Sequence, residues 1–221
     1  MTGTQTVLCI NSGSSSLKFH LYEMGPGGGD LDEEFLARGA VEGIGQGEGR
    51  LWFVDAAGEP FAECALDDVE YEPAIKTALL ALSDKDLPSI EAIGHRVVHG
   101  GPNHLGPELI TEELIEDLRE HTAWAPLHMP AALRVIHSLD VQRPGIPQVA
   151  CFDTGFHARM PEIARRLPLP RRLYDEGIHK YGFHGLSYEY VLGVLGEQAR
   201  GRVVMAHLGN GASMAACLDG R

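Results

Sequence analysis

The 221-residue chain is 44% hydrophobic and 22% charged, a composition that can bury one good core, or one and a half, in a soluble globular protein. Eighteen Lys and Arg against thirty-one Asp and Glu leave a formal net charge of −13, which excludes the basic footprint of a nucleic-acid or anionic-membrane binder. With no basic leader and no apolar run near the ~20 residues of a membrane span, the expected compartment is the cytoplasm.

In chain order the first element is a hairpin, with apolar runs over Thr6 to Ile10 and Leu17 to Tyr22 flanking Asn11-Ser12-Gly13-Ser14-Ser15-Ser16. That loop has almost no bulky side chains, so backbone N–H groups can approach an anion. The serine hydroxyls add donors and Lys18 adds charge, making the turn a candidate phosphate cradle. A glycine-rich stretch, Gly25-Pro26-Gly27-Gly28-Gly29, precedes strand-like runs at Glu33 to Val41, Arg50 to Val54 and Pro60 to Leu66, which fit an antiparallel meander.

The spacing of Ile75, Leu79 and Leu82 predicts a helix over Pro73 to Leu82, and Ile90 to Val98 returns as a strand. Thr111 reads as the N-cap of a helix through His121, with Glu112 and Glu113 where the helix dipole favours acids. A helix over Pro130 to Leu139 precedes a strand at Gln148 to Phe152. Ser187 reads as the cap of a helix ending at Gly201, before a strand at Val203 to Leu208. Strands first, then alternating helices and strands, predict an α/β sheet covered by helices. Cys9, Cys64, Cys151 and Cys217 lack C-x-x-C spacing and read as buried thiols.

The last hairpin repeats the first. Laid without a gap, Val204 to Leu218 matches Val7 to Leu21 in kind, with Val7 over Val204, Ser16 over Ser213 and Leu21 over Leu218. Two similar halves, each presenting one hairpin loop, would grip a polyphosphate from two sides.

Four further clusters carry polar groups that packing alone does not need. Gly94 to Gly101 holds Arg96, His95 and His99 in a strand ending in a glycine pair, and an arginine fork suits a carboxylate or phosphoryl group. His128 sits between Pro126 and Pro130 at a helix entry, Asp153 directly follows a strand, and His184 lies between Gly182 and Gly185 beside aromatic residues. Eleven histidines invite a zinc reading, but there is no H-E-x-x-H and no paired cysteine ligand set.

Together, Ile10 to Lys18, Gly94 to Gly101, Ala125 to His128, Phe152 to Thr154, Tyr181 to Gly185 and His207 to Ser213 resemble the motifs of the acetate kinase family, in order and at about the family's intervals. The resemblance implies the ribonuclease-H-like α/β fold shared with sugar kinases, actin and chaperone ATPases. It implies two similar lobes, residues 1–152 and 153–221, the second incomplete. It implies reversible transfer of the ATP γ-phosphoryl group to acetate, giving acetyl phosphate and ADP, with Mg²⁺ or, as a substitute, Mn²⁺. Propionate or butyrate kinase, or a non-catalytic nucleotide-binding module, are the rival readings.

Residue by residue, the resemblance makes Asp153, Arg96, His184 and His128 catalytic, with Arg96, Val98, Leu127 and Phe183 around the acid. Ser14, Ser16 and Lys18 match the first phosphate loop, and His207, Gly209, Asn210, Gly211 and Ser213 the second. Asn11 matches a Mg²⁺ ligand. A carboxylate acceptor is already deprotonated near neutral pH, so Asp153 is expected to orient Mg²⁺ or its waters rather than take a proton.

The chain departs from the family at Met129, where Asn is usual, at Lys180 for Arg, and at Leu186 and Tyr188 for Thr and His. In the family an adenosine-binding loop, a second arginine and an acidic Mg²⁺ ligand follow the second loop. The expectation is therefore a truncated kinase, weakly active or inactive alone, that is a homodimer at full length.

Overall fold

The structure, a computed structural model, describes residues 3–26 and 33–220, so Gly27, Gly28 and Gly29 of the glycine-rich stretch lie outside the described residues, as does Arg221. The chain divides into two compact units, Met1–Val97 with Glu108–Ala150, and Val98–Pro107 with Cys151–Arg221.

The first unit is built on an eight-stranded mixed sheet. Its elements in chain order are β1 (Gln5–Ser12), β2 (Ser16–Met24), β3 (Glu33–Glu42), β4 (Glu48–Asp55), β5 (Pro60–Asp67), α1 (Tyr71–Asp84), β6 (Ala92–Val97), β7 (Glu108–Leu109), α2 (Glu112–Glu120), α3 (Met129–Gln142) and β8 (Gln148–Phe152). The strands lie in the order β5-β4-β3-β2-β1-β6-β8-β7, so the meander runs outward from β1 while β6 joins its other side in parallel. The expected α/β class holds.

Strand periodicity explains the core. Thr6, Leu8, Ile10 and Ser12 of β1 are buried and the alternate Gln5 and Cys9 are exposed. The buried face meets Ala74, Ile75, Ala78, Leu79 and Leu82 of α1 and Ala131, Val135 and Leu139 of α3. Each fully buried leucine contributes about 1.5–3 kcal/mol. Thr111 caps α2 as expected, its Oγ1 accepting from the Leu114 amide at 3.3 Å. The reading of four buried cysteines is corrected: Cys9 and Cys64 are exposed, Cys151 is half-buried and Cys217 is buried. Cys9 alternates onto the outer face of β1, and Cys64 lies on the edge strand β5.

The second unit holds α4 (Glu162–Arg165), α5 (Arg171–Asp175), α6 (Gly185–Leu195), β9 (Arg202–His207) and β10 (Ser213–Leu218). β9 and β10 form an antiparallel ribbon whose inner face carries Met205, Ala215 and Cys217 against Tyr188 of α6. The helix expected to be capped by Ser187 and to end at Gly201 begins instead at Gly185. His184, at φ 58° and ψ 27°, turns the chain immediately before it. It stops at Leu195 because Gly196 takes a φ of 48°. Two short helices, α4 and α5, and the two-residue strand β7 are too brief to leave a periodic signal. Among the described residues no helix is long and apolar enough to cross a membrane.

Candidate functional site

In the first unit the sheet register gathers the predicted residues. Asn11 of β1 pairs with Lys18 of β2 on one side and with Arg96 of β6 on the other. Residues directly opposite in a sheet share a face, so one carboxamide stands between two cations. The Arg96 guanidinium donates to Asn11 Oδ1 at 2.9 Å, which aims the fork along the row. Behind it His95 faces the core, 3% exposed, with Nε2 at 2.7 Å from Gln148 Oε1. Burial lowers the His95 pKa to about 4, partly offset by that hydrogen bond, so its ring is neutral at ordinary pH and adds no third cation.

The first loop is a tight turn closed by Gly13 N–H donating to the Ser16 carbonyl at 2.8 Å. That amide is therefore spent on the turn, and the amides left for an anion belong to the serines. Ser14 is exposed and Ser16 half-buried. The Tyr71 hydroxyl lies 2.8 and 3.0 Å from the carbonyl oxygens of Gly13 and Ser14, its one proton shared between them. The sequence reading missed Tyr71 because the residues it joins lie 58 and 57 positions away and no local motif marks it.

His128 directly precedes α3, with Pro130 in its first turn, so the rigid entry expected there is present. Leu127 is 74% exposed, whereas the unusual Met129 is fully buried and serves the core. A separate cavity of about 340 Å³, lined by Leu109, Ile115, Leu133, Ile136 and Gln148 among others, contains none of the predicted site residues.

In the second unit a hydroxyl and imidazole network surrounds the second loop. The rings of His184 and His207 stack with centroids 4.1 Å apart. His184 Nδ1 lies 2.8 Å from Ser213 Oγ, which also meets the Tyr188 hydroxyl at 2.5 Å. His207 Nδ1 lies 3.1 Å from Ser187 Oγ, so Ser187 holds an imidazole instead of capping α6. A Cβ on Gly211 would lie 3.5 Å from His184 Nε2, which places the loop beside that nitrogen. His184, His207, Gly211 and Ser213 are thus together, and Gly209 and Asn210 are exposed. Tyr188 and Ser187 were not predicted as site residues, since only folding brings them to β9 and β10.

Asp153 is 1% exposed at the end of β8, and its carbonyl accepts from the Gly185 amide at 2.8 Å. A Cβ at Gly185 would come within 2.3 Å of that carbonyl, so glycine alone permits the junction of Asp153, His184 and α6. Phe183 packs edge-on to His99, centroids 5.7 Å apart, and its carbonyl meets His157 Nε2 at 3.0 Å. Burial lowers the His157 pKa, partly offset by that bond. Val98 is half-buried. Among the described residues no cluster of three or more His, Cys, Asp or Glu is placed to hold a metal.

Comparison with known proteins agrees with these motifs. The chain is 44% identical over 223 residues to the acetate kinase of Nitrobacter hamburgensis, covering 98% of this chain and 54% of that protein. It is 44% identical to that of Rhizobium meliloti, covering 97% and 55%. Among solved structures, Porphyromonas gingivalis acetate kinase superposes with a TM-score of 0.81 at 36% identity, covering 98% of this chain and 56% of that one. A Francisella tularensis propionate kinase superposes with 0.82 at 34%, with the same two coverages. The fold is that of these kinases, and the chain spans about half the length of the curated relatives it matches. The model of the acetokinase family matches residues 6–221, and the chain belongs to that family.

Proposed function

We propose that the protein transfers the terminal phosphoryl group of ATP to a short-chain carboxylate, with acetate as the first candidate and Arg96 as the group that holds the acid. The row of Lys18, Asn11 and Arg96 across three strands carries the reading. Acetate and ATP are both anions, and in-line attack requires their charges to be neutralised as they align. An acetate oxygen forms a bond to the γ-phosphorus while the bond to the β-bridging oxygen breaks and ADP departs.

Arg96 and Lys18 supply fixed positive charge, and the serine hydroxyls of the first loop supply donors. His184, His128 and His207 donate to phosphoryl oxygens, and the Gly209, Asn210, Gly211 and Ser213 loop takes the polyphosphate. Val98, Leu127 and Phe183 take the methyl end of the acid. Asn11 Oδ1 and the Asp153 carboxylate are hard oxygen donors, the type Mg²⁺ takes alongside phosphates. Asn11 Oδ1 keeps a lone pair beyond the one that accepts from Arg96. Together these donors would hold Mg²⁺, or Mn²⁺ in its place, whose charge would offset that of the phosphates. Asp153 would orient the metal or its waters.

Trapping acyl phosphate as hydroxamate tests the proposal on the protein translated from its complete coding sequence, supplied with ATP and acetate, propionate or butyrate in turn. A yield no higher than that of Arg96→Ala on every acid would sink the kinase reading and leave a nucleotide-binding module. The likeness to the Francisella tularensis propionate kinase favours including the longer acids. A cytoplasmic homodimer belongs to the same proposal, checked by cell fractionation and light scattering.

A further inference from the structure

We propose that Tyr71 is a positioning residue that sets the direction of the first loop's peptide units and so creates its anion-binding face. The inference rests on reading that loop as a polyphosphate site.

Three consecutive loop carbonyls are held by donors of the first unit. The Tyr71 hydroxyl shares its one proton between those of Gly13 and Ser14, at 2.8 and 3.0 Å, and the Ile44 amide takes that of Ser15 at 3.0 Å. Among the described residues no peptide is cis. In a trans peptide the carbonyl of one residue and the N–H of the next point to opposite sides. Tying down the Gly13 and Ser14 carbonyls therefore turns the N–H groups of Ser14 and Ser15 away from Tyr71. Successive N–H groups aimed one way form a concavity of partial positive charge that accepts an anion. If the carbonyls were free, a peptide could rotate and present an oxygen to the phosphate.

The tyrosine is itself well held. Tyr71 opens α1 and is 8% exposed, and the Arg134 guanidinium lies 4.9 Å from its ring centroid. Burial raises its pKa above the usual phenol value, against the smaller opposing effect of Arg134, so the hydroxyl keeps its proton through the neutral range.

Tyr71→Phe keeps the ring and its contact with Arg134 and removes only the donor. The test follows the backbone amide resonances of Ser14 and Ser15 while inorganic tripolyphosphate is titrated in. In the parent both amides should shift. In the variant the dissociation constant should rise up to about tenfold, the upper scale of losing one hydrogen bond. In the hydroxamate assay KM for ATP should rise by a similar factor, with kcat and KM for acetate nearly unchanged. The resonances report folded protein alone, so lost stability does not imitate this result. Responding parent amides with an unchanged dissociation constant in the variant would overturn the role of Tyr71. Parent amides silent to tripolyphosphate would overturn the phosphate-loop reading, and this inference with it.

Discussion

The two hairpins match in kind, apolar strand, small-residue turn and apolar strand, and differ in what surrounds them. In the first, β1 and β2 are interior strands, flanked by β6 and β3, and Leu8, Leu17, Phe19 and Leu21 are at most 1% exposed. In the second, β9 and β10 pair only with each other among the described residues. There Val204 is 65%, Met214 69% and Leu218 57% exposed. Leu17 and Met214 occupy matching places, as do Leu21 and Leu218, so one apolar pattern builds both ribbons and neighbouring strands decide its burial.

The registers differ too. Ile10 pairs with Phe19, but its counterpart His207 pairs with Ser213, which leaves a longer loop between β9 and β10. The chemistry divides accordingly. Cations line the first hairpin, and hydroxyls and imidazoles hold the second.

The largest test of that division is Arg96→Ala, which should lower acyl phosphate formation by about 10³-fold or more. Retention of a tenth of the activity would break it. Paired truncations test the burial contrast by urea unfolding. Leu17→Ala should cost about 2–5 kcal/mol, whereas Met214→Ala should stay within about 0.5 kcal/mol.

Acid sensitivity should come chiefly from the first unit. The folded pKa of His95 is depressed to about 4 from 6.5, so the unfolded chain binds more protons between those values. Its stabilising effect is complete above pH 6.5 and is lost as pH falls towards 4. Between pH 7 and 5 the loss should be about 2 kcal/mol, and His95→Gln should remove most of that slope. Burial lowers the pKa of His20 and of His157 in the same direction, so some slope should persist.

Asp153→Asn should raise the Mg²⁺ concentration for half-maximal activity about tenfold, the scale of losing a group that orients a metal or its waters. An unchanged Mg²⁺ requirement with altered pH dependence would point to proton transfer instead. A smaller effect than the loss of Arg96 or Asp153 is expected of Tyr188→Phe. It removes one hydroxyl from Ser213, should cost about 1 kcal/mol, and should move the ring-nitrogen resonances of His184.

Much of the molecule was legible in the sequence because its determinants are local. Alternation at Leu8 and Ile10, helical spacing at Ile75, Leu79 and Leu82, and the cap at Thr111 each act within a few residues. They placed most elements to within a few positions. The six ordered motifs carried the family resemblance, which the family model bears out. Tertiary structure decided what depends on partners distant in the chain. That Cys9 would face outward, that Ser187 would hold His207 rather than a helix end, and that Tyr71 would tie down the first loop could not be read from neighbouring residues. Periodicity specifies which side of an element is apolar, but a hydrogen bond across more than fifty residues exists only once packing has brought its two ends together.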